Sequence, residues 1–289
     1  MIARIDGDII VYRAGFGSES SSEGEVPVSH SLQAVKLIIK SQLEYVKRRH
    51  DVSGVKLYLS SDDKSNFRYD VATTQPYKEN RKKVRKPVHY AEMKEYIEKS
   101  FKVSPTVGQE ADDAMGIDQF KDPENSIIIS ADKDMRMIPG WHWEMSHREP
   151  YLVTDPGTLD LETYYSTPRP ETADKWVKEG KILALQKPRL YTHPEEFPFL
   201  RKKKLFGTGK KWFYAQCLMG DTADNIPGLP KVGNVAAFST LAKAETEEEM
   251  LDSVKKMYYN KKYTDERLTE VGQLLWIRRQ ENEMWTFKE

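Results

Sequence analysis

Carboxylates recur where short apolar runs end. Asp6 follows Met1–Ile5, and Asp132 and Asp134 follow Ser126–Ser130. Glu110, Asp112 and Asp113 stand as Glu-Ala-Asp-Asp before Ala114, Met115, Ile117 and Phe120. Asp221 and Asp224 repeat the three-residue spacing of Glu110 and Asp113, which lets one helical turn point both members of a pair the same way. Taken singly, each acid has a plain structural reading. Asp and Glu cap and open helices, and Asp6-Gly7 is an ordinary turn dipeptide. Gathered in one crevice, ionised carboxylates repel one another and are costly to remove from water unless cations join them. Oxygen ligation without His or Cys suits Mg²⁺ or Mn²⁺ rather than zinc. Two such ions about 4 Å apart would activate a water and stabilise the leaving oxygen in phosphodiester cleavage.

Two further stretches suit a polyanion. Between Tyr77 and Lys86, Lys78, Arg81, Lys82, Lys83, Arg85 and Lys86 face a single acid, Glu79. A solvated helix face is the simple reading of such a run, but lysines and arginines bound to phosphates release counterions and gain affinity. Helical spacing brings Lys78 near Arg81 and Lys82. Asn225–Ala237, with Gly228, Lys231, Gly233 and Asn234, resembles a helix-hairpin-helix turn. Its glycines let the backbone approach phosphates, and the N–H groups opening the next helix supply donors. Such a turn grips duplex backbone without reading bases.

The elements that must position these groups can be read from periodicity. Met1–Ile5, Val55–Ser60 and Ser126–Ser130 are expected strands, the last rich in β-branched residues. Leu32, Val35, Ile39, Leu43 and Val46 recur at helical period, as do Tyr90, Met93, Ile97 and Phe101. Strands separated by helices imply an α/β fold with a mainly parallel central sheet, whose ligand crevice lies beyond the carboxyl ends of the strands. Residues 1–154 are expected to form that domain. Residues 155–211, with six prolines between Pro156 and Pro198 and one helix near Ala173–Ala184, are expected to form an irregular basic insertion over the sheet's edge. Residues 212–289 are expected to be helical, ending with a helix over Glu270–Trp285. Ser20–Ser22 mark a loop.

Composition sets bounds without choosing a function. With 289 residues, 31% charged and 38% hydrophobic, the chain reads as globular rather than disordered. No apolar run approaches the roughly 20 residues that cross a bilayer, and the acidic turn after Ile5 does not suit a signal peptide. A net charge of +0 argues neither way, because acids and bases are segregated along the chain. Cys217 is the only cysteine. It excludes an intramolecular disulfide, fits a reducing cytoplasm and lies in an apolar stretch that reads as core.

The order of motifs resembles the flap endonuclease and 5′→3′ exonuclease family, especially its small phage-encoded members and the 5′-nuclease domain of bacterial DNA polymerase I. The matching pieces are Ile5-Asp6-Gly7, Tyr12-Arg13-Ala14, Phe67-Arg68, Tyr77-Lys78-x-Asn80-Arg81, Glu110-Ala111-Asp112-Asp113, Ser130-Ala131-Asp132-Lys133-Asp134 and Gly220-Asp221-x-x-Asp224-Asn225-Ile226-Pro227-Gly228. They are collinear to about Leu241. The resemblance implies a two-metal site from Asp6, Glu110, Asp112, Asp113, Asp132, Asp134, Asp221 and Asp224. It implies that Lys78 and Arg81 bind the scissile phosphate at the base of a helical arch within Lys82–Phe101, where Lys82, Lys83, Arg85 and Lys86 would meet the DNA. Gly228, Lys231, Gly233 and Asn234 would hold the adjacent duplex, often with K⁺. DNA with a 5′ flap, nick or free 5′ end is the implied partner, with RNA–DNA hybrids, primer removal and replication proteins in view and a monomer expected. Asp8 stands where many relatives carry an uncharged residue and is left outside this set, and the stretch from Asp134 to Asp221 is longer than the family pattern. Three alternatives explain less. A haloacid-dehalogenase-type phosphatase would account for Asp6-Gly7-Asp8 but not for Glu110–Asp113. A PIN-type ribonuclease would lack the arch lysines and the hairpin. A junction-binding protein of the same fold would gain nothing from so repulsive an acid set.

Overall fold

The computed structural model describes residues 1–20, 26–61, 65–104, 106–145 and 149–287, without the side chains of Lys82 and Lys83. The Ser20–Ser22 loop therefore lies mostly outside the described residues. Ile2–Asp6 (β1), Gly54–Tyr58 (β2), Val103–Ser104 (β3), Ser126–Ile129 (β4), Gly140–Trp143 (β5) and Tyr151–Val153 (β6) form one sheet in the order β3-β2-β1-β4-β5-β6. All neighbours run parallel except β5 and β6, so the mainly parallel α/β sheet forms as the sequence implied. Strand order reverses between β1 and β4, which opens a crevice at their carboxyl ends.

Alternation along β4 shows how the sheet is buried on both sides. Ile127 and Ile129 enter one core, whereas Ile128 enters the other. The first core is closed by Gly7–Gly17 (α1), Leu32–His50 (α2) and, beyond the short Arg68–Val71 (α3), Tyr90–Ser100 (α4). Ile10, Val11, Val35, Ile39, Leu43, Met93 and Ile97 supply its apolar faces, each such side chain contributing about 1.5–3 kcal/mol when fully buried. The second core holds Ala111, Ala114 and Met115 of the helix Ala111–Lys121 (α5) together with the C-terminal helices.

Within Lys82–Phe101, the segment expected to hold the arch, some residues pack on the body while Val84, Arg85, Lys86 and Val88 are exposed. Pro87 is buried, and Met93 and Ile97 are fully enclosed between α1 and α2. Gly15 makes this possible, since a Cβ there would stand 2.4 Å from Pro87 Cβ. Residues 155–211 contain Pro170–Lys178 (α6), shorter than the expected helix and started by its proline, with a small core of Ala173, Ile182, Leu190, Phe197 and Leu200. They also contain an antiparallel hairpin, Leu159–Tyr165 (β7) with Arg201–Gly207 (β8). Leu205 packs into the second core beside Val232, Ala237 and Leu241.

Gly209–Met219 (α7), Asn234–Leu241 (α8), Glu247–Asn260 (α9) and Asp265–Leu275 (α10) complete the chain. The last helix stops ten residues before Trp285. Arg68 takes the carbonyls of Leu274 (2.9 Å) and Trp276 (2.7 Å), and Trp285 folds back onto Gly272. A helix running on to Trp285 would forfeit both contacts.

Candidate active site

Asp6 ends β1, and the residues after β4 turn through Ser130 to Asp132. Ser130 Oγ donates to Asp6 Oδ2 at 3.0 Å, while Asp6 Oδ1 accepts from Ile9 N and caps α1. Asp132 accepts from the backbone of Asp134 at 2.9 Å and starts a short turn of helix over Lys133–Met137. Glu110 caps α5, which brings Glu110 and Asp112 to the same crevice. A cavity of about 280 Å³ there is lined by Asp6, Asp8, Tyr12, Arg13, Ser60, Lys78, Arg81, Glu110, Asp112 and Asp132.

Lys78 reaches in from a left-handed backbone position (φ 54°) fixed by its N–H on the Asp224 carbonyl at 2.9 Å. Its ammonium lies 2.5 Å from Glu110 and 3.7 Å from Asp224. Arg81 pairs with Asp224. Tyr77 Oη lies 3.1 Å from Glu110 and 3.0 Å from Asp224. Asp134 and Asp221 gather beside this group around Lys133, at 3.3 and 2.7 Å, and Gln216 donates to Asp134 at 2.5 Å.

The electrostatics record crowding. Burial and then the charge of Asp8 push Asp6 up to about 7, and burial followed by Asp132 does the same to Asp134. Asp112 is driven well above the carboxylate range by burial, then by Asp6, Asp132 and Glu110. Burial also raises Asp224 in spite of Lys78 and Arg81. Glu110 and Asp221 go the other way, because Lys78 with Arg68 and Lys133 respectively outweigh the cost of burial. Burial alone would lower Lys78, but Glu110 and Asp224 hold it above its ordinary value. Lys78 and Lys133 thus supply part of the countercharge. The donors are all oxygens, which with the surplus negative charge fits a hard divalent cation. Among the described residues, no three Asp, Glu, His or Cys are arranged to hold a metal ion as they stand.

Asp113 is placed differently from its neighbours. It is fully buried and accepts Arg68 Nη1 at 2.6 Å and Nη2 at 2.9 Å, together with the backbone N–H groups of Glu110 and Arg278 at 3.1 Å each. Burial opposes its charge, yet these partners hold it below the usual range. Its three-residue spacing from Glu110 makes a reciprocal helix cap rather than a second crevice ligand.

The basic residues divide as well. Arg85 pairs with Glu19 at 2.5 Å, and Lys86 lies over the Tyr90 ring at 4.1 Å, both engaged with the protein itself. The side chains of Lys82 and Lys83 lie outside the described residues. Gly228 is required by close packing, since a Cβ there would meet the Met219 carbonyl carbon at 2.1 Å. Gly233 faces open space at the start of α8, Lys231 is exposed beside it, and Asn234 Nδ2 donates to the Lys203 carbonyl at 2.8 Å. Asp8, set aside at the sequence level, lines the cavity and accepts from Ser60 N at 3.0 Å. Its signal was its position in the first turn of a helix that Asp6 caps.

No family model matches the chain. It is 26% identical over 258 residues to DNA polymerase I of Bacillus subtilis (strain 168), covering 86% of this chain and 24% of the polymerase. It is 29% identical over 145 residues to the exonuclease of Escherichia phage T7, covering 47% of this chain and 48% of that protein. The chain thus spans half or less of the length of these relatives. The D15 protein of phage T5, co-crystallised with metal ions, shares the fold with a TM-score of 0.55 at 12% identity, over 95% of this chain and 88% of that one. The same protein, described as a flap endonuclease in complex with DNA and metal ions, gives a TM-score of 0.52 at 12% identity, over 94% of this chain and 88% of that one. In sequence the chain is similar to DNA polymerase I of Bacillus subtilis and to the exonuclease of Escherichia phage T7, and in fold it is similar to the D15 protein of phage T5.

Proposed function

We propose that the chain is a divalent-metal-dependent, structure-specific 5′→3′ exonuclease and flap endonuclease that hydrolyses phosphodiesters near DNA 5′ ends. The observation that carries this reading is the convergence of Asp6, Glu110, Asp112 and Asp132 with Lys78 and Arg81 around one cavity at the strand ends. Asp134, Asp221 and Asp224 complete the carboxylate set beside it. When bound, two Mg²⁺ ions, or Mn²⁺ in their place, supply countercharge and an activated water. Lys78 and Arg81 hold the scissile phosphate and stabilise charge developing on its oxygens. Asp113, through Arg68 and the Glu110 N–H, keeps Glu110 oriented. The turn before α8 holds the duplex through Lys231 and the N–H groups at Gly233 and Asn234, with K⁺ as a companion ion.

Residues 1–154 then form the nuclease domain, 155–211 an insertion and 212–289 the helical duplex-binding region. RNA–DNA hybrids as second substrates, primer removal beside replication proteins, action as a monomer and a cytoplasmic setting in a bacterial or phage-infected cell belong to the same reading. Among the described residues no helix is long and apolar enough to cross a membrane. The test is cleavage of a 5′-labelled flap duplex in Mg²⁺ or EDTA, by wild type and Asp132→Asn. Metal-dependent cutting near the junction, lost in the variant with duplex binding retained, supports the proposal. Tight binding without cleavage by wild type replaces it with a junction-binding protein.

A further inference from the structure

The β7–β8 hairpin carries a feature that the nuclease chemistry does not use. Arg201, Lys202, Lys203 and Lys204 are consecutive and all exposed. None has a salt-bridge partner among the described residues, although Glu162 faces Lys204 across the hairpin. Strand geometry sends Arg201 and Lys203 to one face and Lys202 and Lys204 to the other, so the cations wrap the strand rather than line one side. Opposite them, Tyr164 and Tyr165 are 45% and 38% exposed. Four adjacent like charges are unfavourable on a folded surface without a counter-anion.

The hairpin is also held at a particular place. Leu205 is 3% exposed within the core that contains Val232, Ala237 and Leu241 of the helix-hairpin-helix region. The Asn234 carboxamide, in the first residue of α8, donates to the Lys203 carbonyl. The basic row is therefore fastened beside the helix terminus assigned above to duplex phosphates. The row Arg201–Lys204, at about 3.3 Å per residue, covers roughly 13 Å, comparable with about four base pairs of duplex.

We propose that the β7–β8 hairpin extends the duplex track, with Lys202, Lys203 and Lys204 neutralising backbone phosphates next to those held at α8. This inference rests on the duplex-binding part of the proposed function. It gives the Asn234 side chain a positioning role for the hairpin, beside the duplex contact assigned to its backbone N–H.

The test is duplex affinity against salt, measured by fluorescence anisotropy in EDTA, for wild type and the triple variant Lys202→Gln, Lys203→Gln and Lys204→Gln. The variant should reduce the magnitude of the log K versus log salt slope by roughly 2–3 and weaken binding by roughly ten- to a hundredfold at 0.1 M salt. The triple Lys→Arg variant should keep the wild-type slope. Shortening the duplex by about four base pairs on the hairpin side should erase the difference between wild type and the Gln variant. Wild-type affinity and slope in a folded Gln variant overturn the inference and leave the row for an acidic protein partner. Failure of the wild type to bind any duplex overturns both this inference and the nuclease reading, so the two failures are distinguishable.

Discussion

Asp112→Asn and Asp113→Asn should differ in sign, although the two residues are adjacent. Asp113 is the buried partner of Arg68, whose side chain is 3% exposed, through two charge-assisted hydrogen bonds. Asp113→Asn leaves the guanidinium buried without its counter-charge, which costs about 3–5 kcal/mol. For a chain of this length, the loss lowers Tm by roughly 5–10 °C. Asp112 is the reverse case. Its folded pKa is raised by burial and by neighbouring acids, so its ionised form opposes folding above the unfolded carboxylate pKa. Asp112→Asn should therefore leave Tm unchanged or higher. The assay is thermal unfolding near pH 7 in EDTA, which removes stabilisation through bound cations. Equal Tm values for wild type and Asp113→Asn, or a fall for Asp112→Asn as large as that for Asp113→Asn, would refute this division of roles.

Three other outcomes follow from the same geometry. Lys78→Ala should slow single-turnover cleavage by about 10²–10³-fold while changing duplex affinity much less, measured by quench-flow and anisotropy; equal effects would move Lys78 to the binding surface. Gly272→Ala should destabilise by about 1–3 kcal/mol, read by urea unfolding, because the new Cβ would meet Trp285 at 2.1 Å. Burial opposes the charge of Glu270, but Thr73, Thr74 and Arg267 hold its pKa down at about 2 against an ordinary 4.5. Its stabilisation is complete above pH 4.5 and is lost as pH falls towards 2. Glu270→Gln should therefore flatten the acid limb of the stability curve over that window, by about 3 kcal/mol at most.

The sheet and its acid-bearing ends were legible because burial on both faces demands apolar runs, and parallel strands deliver their ends to one edge. Asp6 and Asp132 could be read in that way. Asp113 could not, because its partner Arg68 lies 45 residues away and spacing alone does not separate a helix cap from a crevice ligand. The hairpin was hidden for another reason. Arg201–Lys204 has no apolar alternation, and its strand pairing depends on Leu205 and Leu161 anchoring the base. The end of α10 depends on Arg68 as well, since a side chain near the start of the chain takes the carbonyls that follow the helix.

That last contact bears on the order of events during synthesis. Arg68 and Asp113 can meet as soon as both are synthesised, but the carbonyls of Leu274 and Trp276 and the N–H of Arg278, the last 165 residues after Asp113, follow much later. Until they arrive, the buried ion pair that underlies Glu110 lacks part of its hydrogen-bond cage. A nascent chain therefore carries its acids long before it can hold them firmly, and firm assembly of the crevice waits for the segment that follows α10.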